Sequence, residues 1–444
     1  MQAAEVLFST PEMSAVFSAE AHVRGMLAFE SALARAEARA GVISGSAAEA
    51  IAACCRVDLF DVEQIYREAV PAGTPAIPLV RRLTERVDGE ARKFVHWGAT
   101  SQDVIDTALV LQIREGLALL EAQLRVIGSV CARLAEEHRA TVMPGRTLLQ
   151  QALPITFGLK SARWLGMATR QLLSLRRVRE SVLVVQLGGA AGTLASLAER
   201  GPQVVQLVAD ELGLRVPDLP WHAERDRMGE VAAALGILAG CMAKIALDVA
   251  LLAQTEVQEA AEGSQPGKGG SSTLPQKRNP VDAVEALASA RLAVGLVPLV
   301  LGAMAQEHER AIGGWQAEWA ALPQLFSFTA GSVDRVRSAL TGLEISPSRM
   351  RANLELGGGL LMAESLSTAL ARELGKAKAH RLVQGLSQRV AADGTDLLQA
   401  ALEDDQVRHI LGREAVEAAL DPAQYLGSTE TFITRAVHAF EALR

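Results

Sequence analysis

Aromatic residues make up only 4% of this 444-residue chain, and there are just four cysteines, at positions 54, 55, 131 and 241. Two are adjacent and none forms a C-x-x-C pair, so neither a zinc cage nor a disulfide framework is suggested. The eight histidines contain no H-x-x-x-H, and no metal or cofactor is expected. A basic excess is also missing. With 44 Lys and Arg against 51 Asp and Glu the net charge is −7, which argues against a general nucleic-acid or anionic-membrane surface. The longest uncharged apolar run, Leu292 to Ala305, is about fourteen residues and contains Pro298, short of the ~20 that span a bilayer. The opening MQAAEVLFSTPEM has no basic, apolar leader pattern. The expectation is a soluble, cytoplasmic protein without membrane or nucleic-acid partners. No internal repeat, low-complexity tract or obvious linker is present.

What is abundant is Ala, Leu and Val, within a hydrophobic content of 49%. That composition predicts an all-α fold, and the length predicts two or three domains on a continuous framework. Apolar positions recur at helical spacing over 12–40 and stop at Gly41. Shorter helices broken by Pro71, Pro75 and Pro78 follow, giving a first domain over 1–110. Thr107 to Arg139 and Met228 to Glu262 then read as long unbroken helices. The second contains VAAALGILAGCMAKIALDVALL, apolar on nearly every face, which predicts burial all round by other helices in a central bundle over 111–356 completed by further subunits. At Gly357 to Gly359 the pattern resets to shorter helices, a third domain over 357–444.

The stretch GKGGSSTLPQKRNP, Gly267 to Pro280, interrupts this pattern. It is not a phosphate loop, because Lys268 is followed by Gly269 and the glycine spacing fails. Lys277 and Arg278 alone are no localisation signal. A flexible inter-helix connection remains one reading. The other is chemical: Ser271 and Ser272 on glycine-permitted backbone could move a proton while Lys277 stabilises an oxyanion. GGSSTLPQKRNP resembles the signature loop G-S-S-x-M-P-x-K-x-N-P of the fumarase/aspartase superfamily, with Leu274 in place of Met, a volume-conserving change. The resemblance implies that Ser271 is the catalytic base and that Lys277 and Asn279, with Ser272 beside them, bind a substrate carboxylate.

Three further stretches match. HWGATSQDVIDTA, from His96, reads by itself as a capped helix start. It is similar to the superfamily's H-x-G-x-T-S-x-D, which implies that Thr100 and Ser101 hold carboxylate and His96 assists proton transfer. MPGRTLLQQALPITFG, from Met143, could be a plain helix entry with Arg146 at the surface. It resembles G-R-T-H-x-x-x-A-x-P, implying substrate contacts by Arg146, Thr147, Leu148 and Gln151, but Leu148 stands where the pattern has histidine. EHERAIGGWQAEW, from Glu307, could be a solvated helix end. With PWHAERDRMGE, GGAAGTLASL and AGTPAIPLV it resembles the superfamily's cycloisomerase branch, which suggests Arg310 as a further carboxylate binder and leaves a role for His308 open.

The superfamily implied by these matches performs reversible elimination through an aci-carboxylate, in homotetramers whose active sites draw on three subunits. Hydroxide and amine leaving groups benefit from an acid such as the histidine missing at Leu148. A carboxylate, with a conjugate-acid pKa of about 4, departs or adds without one. The expected reaction is therefore lactonisation of a carboxy-substituted muconate, with a 3-sulfo analogue left open. The competing expectations are an adenylosuccinate lyase-like C–N lyase and a noncatalytic helical assembly protein.

Overall fold

The computed structural model describes residues 3–265 and 267–443. The outer limits of the sequence-based segments, residues 1 and 444, lie outside the described residues. Helix dominates. Among the described residues, paired strands form only two short ladders, Val142–Thr147 (β1) with Gln150–Thr156 (β2) and Ala260–Ala261 with Glu344–Ile345.

The stretch read as one helix over 12–40 is two, Pro11–Val16 and Ala19–Arg39. Ser18 lies between them in extended conformation, and its hydroxyl oxygen accepts from the Ala21 amide at 3.1 Å. Cap chemistry thus breaks a run that apolar spacing would continue. The second helix stops where expected, with Gly41 at φ +73° just beyond it.

Packing divides the chain into two compact units. One comprises residues up to Gln123, Gln171–Ala243 and Glu285–Arg335, and the other Leu124–Arg170, Lys244–Val284 and residues from Val336 onward. The segment 1–110 falls within the first, 357–444 within the second, and 111–356 is divided between them. Every passage from one unit to the other lies inside a helix. These helices are Ser101–Glu137, Phe157–Val182, Asp226–Leu252, Val281–Gly302 and Gly314–Thr341. In the second unit, Ala363–Leu374, Lys376–Asp393, Leu397–Glu403 and Asp405–Ala419 enclose a core that includes Leu366, Leu370, Leu386 and Val407.

One sequence expectation needs correction. The helix from Met228 does not reach Glu262 but ends at Leu252. Beyond it Gln258 takes φ +52°, left-handed backbone that an α-helix does not run through, and buried Glu259 pairs with Arg146. Within the single chain this helix leaves Ile237 58% exposed, and Val281–Gly302 exposes Val284, Leu292, Val294, Leu299 and Leu301, faces that the sequence expects further subunits to cover. Both helices are long and apolar enough to cross a membrane by length and composition. Counting uninterrupted runs understated them because single charges such as Lys244 and Arg291 divide otherwise apolar stretches.

Candidate active site

In the first unit the start of helix Ser101–Glu137 is organised by Asp103, whose side chain is fully buried. Its carboxylate accepts from the backbone amides of Thr100 (2.9 Å), Gly188 (2.9 Å) and Gly189 (3.0 Å), and lies 2.7 Å from His222 Nε2. A Cβ at Gly188 would sit 2.7 Å from Pro220 and 2.8 Å from His222, so only glycine permits this approach. The motifs GGAAGTLASL and PWHAERDRMGE therefore converge on one carboxylate. One turn along, Asp106 pairs with Arg225 at 2.7 Å, and Arg225 pairs with Glu318 at 2.5 Å, all three side chains at most 1% exposed. Trp315 Nε1–H donates to Asp106 at 2.9 Å.

This framework holds the predicted binders. Arg310, on the connection between Val281–Gly302 and Gly314–Thr341, donates from Nη2 to Thr100 Oγ1 at 3.1 Å and to the Ala190 carbonyl at 3.2 Å. Two residues 210 positions apart thus meet next to Ser101. His96, at φ +61°, places Nδ1 2.6 Å from Oε1 of Glu30, which is fully buried on helix Ala19–Arg39. Burial disfavours the imidazolium, but the Glu30 charge and hydrogen bond, with a lesser pull from Asp103, outweigh it and raise the pKa of His96 above the ordinary histidine value. His308 is exposed. A cavity of about 550 Å³ in the same unit, lined by residues including Phe17, His22, Tyr66 and Trp319, involves none of the predicted site residues.

The second unit carries the other set. Met143 to Gly158 is not a helix entry but a hairpin, with β1 antiparallel to β2 and helix Phe157–Val182 following. Its two-residue turn is Leu148-Leu149, at φ +51° and +64°. Such turns are usually Asn-Gly, because positive φ crowds a Cβ, and the left-handed conformation costs roughly 1–2 kcal/mol per residue. Yet both leucines face outward, 97% and 74% exposed. Beside the turn, Arg146 pairs with Gln151 across the ladder and makes two hydrogen bonds to fully buried Glu259, at 2.7 and 2.8 Å. Asn353 Nδ2 donates to the same carboxylate at 2.8 Å, and Gln151 Nε2 donates to the Asn353 carbonyl at 2.7 Å. Two of Arg146's donor atoms are thus committed to holding the hairpin, while Thr147 is exposed at the strand end.

The glycine-rich loop is fastened at its neck and open at its tip. Lys268 Nζ lies 2.6 Å from Asp282 and 3.2 Å from Glu262. Asn279 donates its backbone amide to the Gly269 carbonyl at 2.9 Å and its side-chain amide to the same oxygen at 3.2 Å. Gly269 is left-handed (φ +70°), and a Cβ there would lie 2.7 Å from the Asn279 carbonyl oxygen. Between these clasps, Ser272 to Arg278 are exposed. Ser271 Oγ accepts from the Leu274 amide at 3.0 Å, and the Lys277 ammonium has no partner among the described residues.

Sequence reasoning missed the anchoring groups. Glu30, Glu259, Glu262 and Asp282 carry no local pattern, and Asp103 read only as part of a helix cap. Lys268, set aside with the phosphate-loop reading, anchors the loop.

Residues 5–295 match the family described as Lyase, and residues 359–436 match the adenylosuccinate lyase C-terminus. Over 442 residues, 99% of this chain and 96% of the relative, the sequence is 45% identical to a 3-carboxy-cis,cis-muconate cycloisomerase of Pseudomonas aeruginosa. A crystal structure of the 3-carboxy-cis,cis-muconate lactonizing enzyme from Pseudomonas putida superposes with a TM-score of 0.95 at 42% identity, covering 100% of this chain and 99% of that one. A nitrosuccinate lyase of Streptomyces davaonensis is 40% identical over 96% of this chain and 92% of its own length.

Proposed function

The chain belongs to the fumarase/aspartase-type lyase family, and from that membership we infer that it closes 3-carboxy-cis,cis-muconate to carboxymuconolactone, a step of aromatic-acid breakdown. The full-length identity to cycloisomerases supports this reading, and the residue that carries it is Leu148. An internal carboxylate adding to a conjugated double bond needs no acid at that position.

In this reading the substrate's own carboxylate attacks the diene, and charge develops on the carboxylate next to the α carbon. Lys277 and Asn279 stabilise that aci-carboxylate, and Ser271 handles the α proton. Thr100, Ser101, Arg310 and Ser272 bind the remaining carboxylate oxygens. Thr147, Gln151 and Arg146 shape the hairpin side, with Leu148 as an apolar wall. We further infer a cytoplasmic homotetramer with sites shared by three subunits. The uncovered apolar helices and the strained, exposed hairpin tip support it, and the three sequence segments 1–110, 111–356 and 357–444 are its proposed domains.

The test is a panel of 3-carboxy- and 3-sulfomuconate, nitrosuccinate, fumarate and adenylosuccinate followed by ultraviolet absorbance, since lactonisation destroys the conjugated diene. Fastest loss of carboxymuconate absorbance is expected. Faster turnover of any other member reassigns the substrate.

A further inference from the structure

Two histidines, His96 and His308, compete for the proton that passes beyond Ser271, and their surroundings differ. His308 is exposed on its loop. The His96 side chain is 17% exposed, with Nδ1 2.6 Å from a carboxylate that is fully buried. An ionised carboxylate can only accept, so opposite one Nδ1 is the donor, and Nε2 is then the nitrogen left to exchange a proton. Nε2 has no hydrogen-bond partner among the described residues. His96 also takes left-handed backbone, uncommon for a residue with a Cβ.

Two other acidic groups near Glu30 are held in their protonated forms. Glu37 lies two turns along the same helix face, and both its oxygens are buried without a partner. Burial, and then repulsion from Glu30, push its carboxyl up to about 9, so it is a neutral acid near pH 7. The Cys55 thiol, raised first by burial and then by Glu30, is neutral as well, although Arg35 pulls it the other way. Asp103 is the second carboxylate acting on His96.

We propose that Glu30 is a positioning residue that fixes His96 as the Nδ1–H tautomer and thereby assigns the site's proton exchange to His96 Nε2. During lactone formation Ser271 gives its hydroxyl proton to the α carbon and the imidazolium replaces it with its Nε2 proton. In the reverse direction Nε2 takes that proton back, and Nδ1–H stays on Glu30 throughout. The use of the proton rests on the cycloisomerase reading, whereas the tautomer rests on the geometry alone.

The experiment compares full-length parent, Glu30→Gln, Glu30→Asp and Glu37→Gln. Diethyl pyrocarbonate modification of His96, read by mass spectrometry across pH, gives its protonation midpoint without any substrate. The pH profile of kcat/KM on carboxymuconate gives the same group during turnover. Glu30→Gln should move both midpoints to lower pH and reduce kcat on the order of 100-fold, with KM little changed. Glu30→Asp should recover part of each, and Glu37→Gln should match the parent. An unmoved midpoint in folded Glu30→Gln, or equal losses in Glu30→Gln and Glu37→Gln, overturns the proposal. Should Glu30→Gln not fold, Glu30→Asp decides, with a midpoint below the parent's supporting the role and an unchanged one overturning it. A parent inactive on carboxymuconate refutes the cycloisomerase reading by itself, and the modification midpoint then decides the tautomer alone.

Discussion

At the scale of single residues, chemistry and anchoring are assigned to different side chains. Ser271 and Lys277 sit on an open loop tip and contribute little to packing, so Ser271→Ala should lower kcat by on the order of 100-fold while its circular dichroism and melting curve match the parent's. Lys277→Met should fail in the same way. Either variant retaining more than half the parent kcat would remove the loop from the chemistry. Glu37 behaves in the opposite manner. Its folded pKa of about 9 lies above the unfolded value near 4.5, so the fold binds its proton more tightly than the unfolded chain does. That contribution is complete below pH 4.5 and is lost as pH rises toward 9. Glu37→Gln, which cannot ionise, should therefore gain thermal stability relative to the parent at pH 8 and lose that advantage at pH 4.5. Equal differences at both pH values would mean that Glu37 is ionised in the fold. The two kinds of residue also differ in how they are read. Ser271 and Lys277 were legible because their loop carries its whole pattern within fourteen positions. Glu30 was not, because its partner lies 66 residues away.

At the scale of elements, the loop and the hairpin both use left-handed backbone, but only one does so with glycine. Gly269→Ala would press a Cβ toward the Asn279 carbonyl oxygen at 2.7 Å. It should lower turnover several-fold through a displaced neck, at a stability cost of about 1 kcal/mol or more, measured by denaturant unfolding beside the lactonisation rate. The hairpin tip poses the reverse test. Replacing Leu148-Leu149 by Asn-Gly removes most of the strain of the turn, so the double variant should melt at a higher temperature and yet turn over carboxymuconate more slowly, having lost its apolar wall. A variant both more stable and fully active would mean that the leucines serve neither substrate nor partner. Periodicity found the long helix expected over 107–139, which lies largely within Ser101–Glu137. It failed at the hairpin, where Thr147 to Gln150 offer no glycine or asparagine to announce a turn, and beyond Leu252, where Glu259 pairs with a distant arginine instead of continuing a helix.

At the scale of the whole molecule, the predicted site residues fall into two sets, one in each unit. If the sites of the proposed tetramer draw these sets from different subunits, refolding an equal mixture of inactive Ser271→Ala and His96→Asn chains should restore about a quarter of parent activity, by random assortment in a symmetric assembly. No recovery in tetramers confirmed by light scattering would place both residues of each site on one chain. The helices that carry the chain between units have a further consequence, for the order in which the protein is made. The first unit needs residues up to Arg335 and the second needs residues from Val336 onward, so neither can close while the ribosome is still within the first three-quarters of the message. At ~10 residues per second the nascent chain spends roughly eight seconds with Val231 to Leu252 already synthesised and no finished unit to receive them. Demand for chaperone shelter during synthesis is therefore written into the path of the backbone, and a slower ribosome should lower the soluble yield of this protein more than that of one whose units are finished one after the other.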